Sequence, residues 1–448
     1  MYPFNIESLS LELEEAVRIL PGKRHVCRAK FKGEAAYVKF YYGKGSDRYF
    51  KREKEGLDLL ASNGFAGPAI LDSGCVLSSE LPSDWNLNSG SHYIVCKAIV
   101  GKSVAEVWEE GDQADLMMRL IQVLAKYHKA GVIQTDLHFG NFIIAEDETI
   151  YCLDGDGIKS SKSGNKLLEN LALLCAQAGF YCPLSEEEIL QIYGSEVDAE
   201  KFHRLLGDVR NNRIEKLASK VQRNCTAVSC KRRKSDIIYI NKKYDSEALQ
   251  RLLNNPDKPL DEGHAELLKG GNTCTVYKIK LGEQELVVKR YNPRKGLKGK
   301  MDVLRAGRSR TCWSHSFAMR DNFLTTPEAV ALLVRKEGIQ RRDWLISIAA
   351  KGELLSEYVN SVERAENMLS EIQGLFNAMK QGRFSHGDCK ATNFIVGPDE
   401  KLQVIDLDSS IFHKCDSSFG KAYKKDKSRF LRNWPDDIRE LFTEKLSF

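Results

Sequence analysis

QTDLHFGNFII at residues 134–144 and HGDCKATNFIV at 386–396 are two copies of one pattern, and the reading of the chain turns on them. In each, an Asp is followed five positions later by Asn-Phe: Asp136 to Asn141, and Asp388 to Asn393. Thirteen residues past each Asn an apolar run ends in another Asp, Asp154 in YCLDGD and Asp406 in VIDLD. The interval between the two aspartates is 18 residues in both copies, from 136 to 154 and from 388 to 406. A lone D-x-x-x-x-N-F-I arises by chance in many proteins. Two copies with the same internal spacing make coincidence a poor account.

The spacing matches what ATP-dependent phosphoryl transfer asks of a protein, which is positioning and charge neutralisation more than covalent work. Asp136 and Asp388 are the candidate bases, each set in a tight loop to accept the proton of an attacking hydroxyl. Asn141 with Asp154, and Asn393 with Asp406, are the candidate Mg²⁺ ligands. They supply hard oxygens, and nucleotide phosphates and water complete the shell. Each copy also has a strand lysine upstream at nearly the same distance, Lys39 in AYVKFYY and Lys289 in LVVKRYN. These are candidate contacts to the phosphates of ATP.

The flanking segments fit this layout. Residues 23–42 read as two strands around the turn KGE, with Lys39 on the second. YFKREKEGLDLLASNG (49–64) has helical periodicity, and Glu53 within it is the candidate ion-pair partner of Lys39, with Glu55 competing. PAILDSGCV and HYIVCKAIVGKSV read as strands leading to a hinge at Lys97-Ala98-Ile99. ADLMMRLIQVLAKYHKAG (114–131) is an amphipathic helix feeding the loop of Asp136. In the second copy, LLKGGNTCTVYKIKL (267–281) is strand, turn, strand. Gly270 and Gly271 can bring backbone N–H groups toward phosphates, although a plain hairpin turn would look the same. The helix expected at 309–322, SRTCWSHSFAMRDN, contains no Glu, which leaves Lys289 without an evident acidic partner. Lys390, two past Asp388, is a candidate contact to the transferring phosphate, with His138 its counterpart. His386 and Gln134 precede the bases by two and read as hydrogen-bonding residues of the loop. Asp156 and Asp408, each two past the metal Asp, read the same way, with a second metal contact as the alternative.

At 448 residues, with a repeat period of about 250, the chain suits two similar two-lobed units. Its apolar and charged contents, 42% and 29%, are those of a soluble globular protein. No apolar run approaches the roughly 18 residues that span a bilayer. The stretch MYPFNIESLSLELEEAV is acidic and periodic and does not read as a secretory signal, so a cytosolic location is expected. Twelve scattered cysteines without a C-x-x-C read as small buried hydrophobes rather than as a zinc site. The net charge of +5 is unevenly spread. Lys289–Arg310, CKRRK at 230–234 and KAYKKDKSRFLR at 421–432 are basic runs. A solvated face is the default account of such runs. Their density also suits an anionic partner, such as a phosphorylated glycolipid or the anionic inner leaflet. Nucleic acid is an unlikely partner, because no nucleic-acid-binding motif accompanies the charge.

These residues resemble the protein-kinase-like superfamily, with LDGD and IDLD where D-F-G stands in many kinases and with no A-P-E. LLKGGNTCTVYKI, LVVKRYN, GRSRTCWSHSFAMRDNFLTTPEAVAL (307–332) and FSHGDCKATNFIV are similar to the lipopolysaccharide core kinase family, whose acceptors are heptose or Kdo sugars. AYVKFYYGKG, GPAILDSG and VIQTDLHFGNFII are similar to the same broad group, including aminoglycoside-type phosphotransferases. The resemblance implies an α+β fold of two tandem protein-kinase-like domains, 1–235 and 236–448, each with a β-rich N-lobe and a helical C-lobe. It further implies ATP, Mg²⁺ and a hydroxyl acceptor on a lipopolysaccharide core sugar at the cytosolic face of the inner membrane. A protein or small-molecule kinase, and a chain in which one domain is a pseudokinase scaffold, are the alternatives.

Overall fold

The structure, a computed structural model, describes residues 3–85, 91–194, 197–293, 307–338 and 340–448. Of the first basic run, Arg294, Lys295, Lys298, Lys300 and Arg305 lie outside the described residues. The fold is mixed α+β and divides into two compact units, residues 1–177 with 183–206, and 178–182 with 207–448.

The first unit opens with a six-stranded antiparallel sheet of β1 (Phe4–Ile6), β2 (Leu11–Leu20), β3 (Arg24–Phe31), β4 (Glu34–Tyr41), β5 (Ile70–Val76) and β6 (Ser91–Lys97). Their order is β1-β2-β3-β4-β6-β5. The acidic N-terminal stretch is thus strand: LELEE alternates, with Leu11 and Leu13 buried and the glutamates outward. The same alternation in β4 buries Ala36, Val38 and Phe40, which puts Lys39 on the opposite face between Val26 of β3 and Ile94 of β6. Helix α1 (Ser46–Ser62) crosses beside that sheet. Gly56 lets it pack against Gly155, because a Cβ on Gly56 would lie 1.9 Å from the Gly155 carbonyl oxygen. The helix Gln113–Lys129 buries Leu116, Leu120 and Leu124 at one-turn spacing and leads into the loop of Asp136. Helix α2 (Gly164–Cys175) packs below that loop.

The second unit has a seven-stranded antiparallel sheet: β7 (Val228–Arg232), β8 (Asp236–Asn241), β9 (Glu266–Lys269), β10 (Cys274–Leu281), β11 (Gln284–Tyr291), β12 (Ala329–Glu337) and β13 (Gln340–Ile348). The order is β7-β8-β12-β13-β11-β10-β9. Its last five strands repeat the connectivity of β2 to β6, and β7-β8 extend it at the other edge. Lys289 on β11 faces Val276 and Leu345, as Lys39 faces Val26 and Ile94. Lys231 and Arg232 are exposed on edge strand β7, where charge blunts pairing with another sheet. Helix α3 (Arg308–Asp321) stands where α1 stands in the first unit. Helix α4 (Asp416–Leu431) joins an aromatic core of Phe376, Phe394, Phe430 and Phe442 under the loop of Asp388. Among the described residues no helix is long and apolar enough to cross a membrane.

Candidate active site

Both copies of the motif fold into the same loop. Asn141 donates its amide to the Asp136 carbonyl at 2.8 Å, and Asn393 donates to the Asp388 carbonyl at 2.7 Å. Each Asn carbonyl then accepts the backbone N–H next to the far aspartate, from Leu153 and from Ile405, both at 2.9 Å. The five-residue spacing is what lets the Asn side chain close back on the Asp while its own strand begins at Phe142 or Phe394.

The residue two before each candidate base braces it. Gln134 accepts the Asp136 N–H at 3.1 Å and donates to the Asp154 carbonyl at 3.0 Å. His386 accepts the Asp388 N–H on Nδ1 at 3.3 Å, and its Nε2 donates to the Ile405 carbonyl at 2.9 Å. That fixes His386 as a neutral imidazole, and burial lowers its pKa further. Under the brace lies a second support. In the first unit Asn170 on α2 bonds the backbone of Gln134, donating to its carbonyl at 2.6 Å and accepting its N–H at 3.3 Å. In the second, Asp426 on α4 accepts the N–H groups of His386 at 2.7 Å and Gly387 at 3.0 Å. Sequence reasoning missed both supports. Asp426 carried a signal, since it is the sole acid within 421–432 and shares the spacing of buried Phe419, Tyr423 and Phe430.

The strand lysines are held in different ways. Lys39 is ion-paired with Glu53, which is fully buried, and lies 3.6 Å from Asp154. Glu53, and not Glu55, is the acid that meets Lys39, and it also accepts the N–H groups of Gly155 and Asp156 at 3.2 Å. Burial first, and then Asp154 beside it, raise the Glu53 pKa against the pull of Lys39. Lys289 has no helix acid, but it is not unpartnered. Asp406 lies 2.7 Å and Asp408 2.9 Å from its ammonium. These two carboxylates raise its pKa against the cost of burial. Asp408 also accepts the Tyr291 hydroxyl at 2.6 Å, and Arg308 of α3 approaches it at 3.9 Å. Its first-unit counterpart, Asp156, pairs instead with Arg52 of α1 at 2.7 Å.

Lys289, Asn393 and Asp406 line one cleft of about 740 Å³, walled by Val276, Val287, Ala329, Leu345 and Ile395 and edged by Ser347–Ala350. A mostly apolar cleft with a few polar groups is the usual form of a small-molecule site. Gly270 and Gly271 sit in the β9–β10 turn. Neither has a positive φ, and a Cβ on either would meet nothing closer than the Cys274 carbonyl oxygen at 3.4 Å. The fold itself therefore does not require glycine there.

The donors also fit Mg²⁺. With its amide spent on the Asp388 carbonyl, Asn393 has its side-chain oxygen to offer, and Asp406 adds a carboxylate. In the first unit the buried Asp154 Oδ1 takes no hydrogen bond. Among the described residues no group of three or more His, Cys, Asp or Glu is gathered for a metal. An ion held by one amide, one carboxylate and phosphates needs no such group.

The model of the Lipopolysaccharide kinase (Kdo/WaaP) family matches residues 301–435. The matched segment contains Asp388, Lys390, Asn393, Asp406, Asp408, Asp426 and Arg429. The chain is also similar to solved structures of WbdD. One is its 2.2 Å crystal structure, at 16% identity over 44% of this chain and 45% of that one, with a TM-score of 0.31. Another is described as the bifunctional kinase-methyltransferase WbdD, at 16% identity over 41% and 42%, with a TM-score of 0.28. The chain thus spans less than half the length of either. No curated protein matches it.

Proposed function

We propose that the chain is an ATP- and Mg²⁺-dependent kinase that phosphorylates a hydroxyl of lipopolysaccharide inner-core sugars, heptose or Kdo. The observation that carries this reading is the family match over 301–435, which spans the Asp388–Asn393–Asp406 loop. In it, the apolar walls of the cleft hold the adenine, and Lys289 meets the phosphates. Asp388 orients the acceptor hydroxyl and takes its proton as the oxygen attacks the γ-phosphorus. His386 and Asp426 keep the Asp388 backbone fixed, so little reorganisation is needed at the moment of transfer. Asn393 and Asp406 hold Mg²⁺, which when bound neutralises charge on the phosphates. Gly270 and Gly271 let the β9–β10 turn approach those phosphates, and Lys390 steadies the group in transit.

Asp136, Asn141, Asp154, Lys39 and Glu53 form the matching set of the first unit, which makes the chain a tandem of two kinase-like domains. The acceptor class places the work at the cytosolic face of the inner membrane. The exposed Lys421, Lys424 and Lys425 of α4, and Arg432 just past its end, supply basic charge for peripheral contact with it. The test is transfer of labelled phosphate from ATP to isolated core oligosaccharide, together with mass spectrometry of core from cells lacking the chain. An unchanged phosphate content would turn the reading toward a protein or small-molecule acceptor.

A further inference from the structure

The first unit holds a cavity of about 480 Å³ that none of its candidate site residues lines. Its walls come from the helices Gln113–Lys129, α2 and Glu186–Tyr193 and from the start of Ala199–Lys220, all within that unit. Ala125, Leu167, Leu168 and Val197 make it apolar, and Lys129 and Lys201 bring two cations to it. Among the described residues no carboxylate pairs with either ammonium; Lys201 donates to the side-chain oxygen of Asn165. The acid that lines the cavity, Asp198, accepts the Lys201 N–H at 3.1 Å as a helix cap. The last part of the wall is the far end of the support under Asp136. Tyr193 and His128 line the cavity, and both are buried. Asn170 turns its amide to the Gln134 carbonyl, so its side-chain oxygen faces the Gln134 N–H and, at 3.1 Å, His128 Nε2. That oxygen can only accept. Nε2 therefore carries the hydrogen, and Nδ1 accepts the Tyr193 hydroxyl at 2.7 Å. Burial lowers the His128 pKa and keeps the ring in this neutral form. Tyr193, His128, Asn170 and Gln134 thus join the cavity to the N–H of Asp136.

We propose that this cavity is an effector site for a small organic oxyanion with an apolar body, and that the ligand, seated against Tyr193, stiffens the support of the Asp136 loop. The site lies apart from the candidate residues of phosphoryl transfer and stands whether or not either unit is a kinase. Its apolar walls shed water onto the body of the ligand, and Lys129 and Lys201 meet the head group. A carboxylate and a phosphate monoester share the required chemistry. The Tyr193 ring is part of the seat, so a bound ligand favours the form in which its hydroxyl is turned to His128. Openings of the loop that break this relay then become rarer by mass action. The second unit is built otherwise. Asp426 takes the supporting place of Asn170, and the residue eight before Asp388, where His128 would stand, is Lys380. Its ammonium donates to the Ser447 carbonyl at 3.0 Å. The effector site belongs to the first unit.

The experiment is calorimetric titration of the full chain, without nucleotide, with hexanoate, hexyl phosphate, hexan-1-ol and hexylammonium, which share one alkyl body. At least one anion should bind about tenfold more tightly than the alcohol, the size of a single charge-assisted contact, and the amine should bind most weakly. The tighter anion identifies the head group. Lys129→Gln combined with Lys201→Gln removes both charges and keeps a polar, unbranched side chain, and it should bring the anions down to the level of the alcohol. The bound anion should also slow backbone hydrogen exchange over residues 132–138 about threefold or more, because the N–H groups of Gln134 and Asp136 are held there by the relay. Tyr193→Phe keeps the ring in the wall but cuts the relay, so it should bind the anion and lose that protection. Absence of saturable binding, equal affinity for anion and alcohol, or a preference that survives loss of both lysines would overturn the site. Protection that survives in Tyr193→Phe would overturn its coupling to the loop. Failure of the kinase reading shows itself separately, as an absence of phosphate transfer from ATP, which none of these readouts uses.

Discussion

The two units reach the same constellation with the acid on different elements. In the first, the helix beside the sheet supplies Glu53 to Lys39, and the loop residue Asp156 turns to a helix arginine, Arg52. In the second, the loop residue Asp408 supplies the acid to Lys289, and the helix presents Arg308 to it. Helix and loop have exchanged charge, and the strand lysine is neutralised either way. The lesson is that a buried ammonium dictates the sign of its surroundings but not which element provides it. The backbone registers the exchange as well. Asp406 is left-handed at φ +57°, whereas Asp154 is extended at φ −114°. In the first unit the packing of Gly56 on Gly155 fixes the turn after Asp154.

The sharpest way to break the comparison is to remove the two candidate bases separately. If Asp388 is the proposed base, Asp388→Ala should lower phosphate transfer by about 10²–10⁴-fold, the range of a lost general base, read with labelled ATP. Asp136→Ala should lower it less, because the family match lies wholly in the second unit. An Asp136→Ala chain with unchanged turnover would make the first unit a scaffold rather than a second catalyst. Next in size are the two acids that neutralise the lysines. Glu53→Ala and Asp408→Ala each strip a buried lysine of a partner, and each should cost about 3–5 kcal/mol in denaturant unfolding, the usual loss when one member of a buried pair is removed. The Asp408 variant should be the milder, because Lys289 keeps Asp406 at 2.7 Å. If Glu53→Ala proved the milder one, the exchange of charge between helix and loop would not be equivalent in energy.

Much of this was legible in the sequence because it is local. The Asp–Asn closure spans five residues, and each brace sits two residues before its base. The Lys39–Glu53 pair joins a strand to the helix that follows it, so periodicity alone aligns them. What escaped is contact between distant segments. Lys289 and Asp408 are separated by 119 residues, and a search confined to the neighbouring helix finds no acid. Arg429 and Asp426 read as members of a solvated basic run, and only the packing of α4 under the loop of Asp388 buries Asp426 and brings Arg429 to Asp388. Arg290 of the first basic run is likewise engaged within its unit, with Asp257 at 3.0 Å.

Acid pH should separate the units by a smaller margin. His315 on α3 bonds the Ser410 hydroxyl at 2.7 Å, and burial lowers its pKa to about 4 from an ordinary 6.5. Burial lowers His386 and His413 in the same unit too. Between pH 6.5 and 4 the unfolded chain binds a proton at His315 that the folded chain refuses, so stability must fall as pH drops through that window. The loss at His315 alone is up to about 3 kcal/mol. Thermal scans followed by a probe in each unit should show the second unit losing more. In the first unit His128 is lowered by burial, partly offset by its bond to Asn170. A His315→Asn variant should flatten the dependence.

The smallest effect tests how alike the two braces are. Gln134 and His386 have different chemistry but similar duties, one acceptor toward the N–H of the candidate base and one donor toward a backbone carbonyl at the far aspartate, that of Asp154 itself in the first unit and that of Ile405, one residue before Asp406, in the second. A neutral amide meets both requirements, so His386→Gln should cost less than about 1.5 kcal/mol, whereas His386→Leu leaves a buried N–H and a buried carbonyl unpaired at about 1–3 kcal/mol each. The reverse change should not be as mild. A Cβ on Gly157 would lie 1.7 Å from Gln134 Oε1, so the amide already fills its space, and a ring at 134 would displace the turn that follows Asp154. Denaturant midpoints of the three variants decide the matter. If His386→Gln proved as damaging as His386→Leu, the imidazole would be doing something that hydrogen-bond geometry does not capture, and the likeness of the two loops would stop at their backbones.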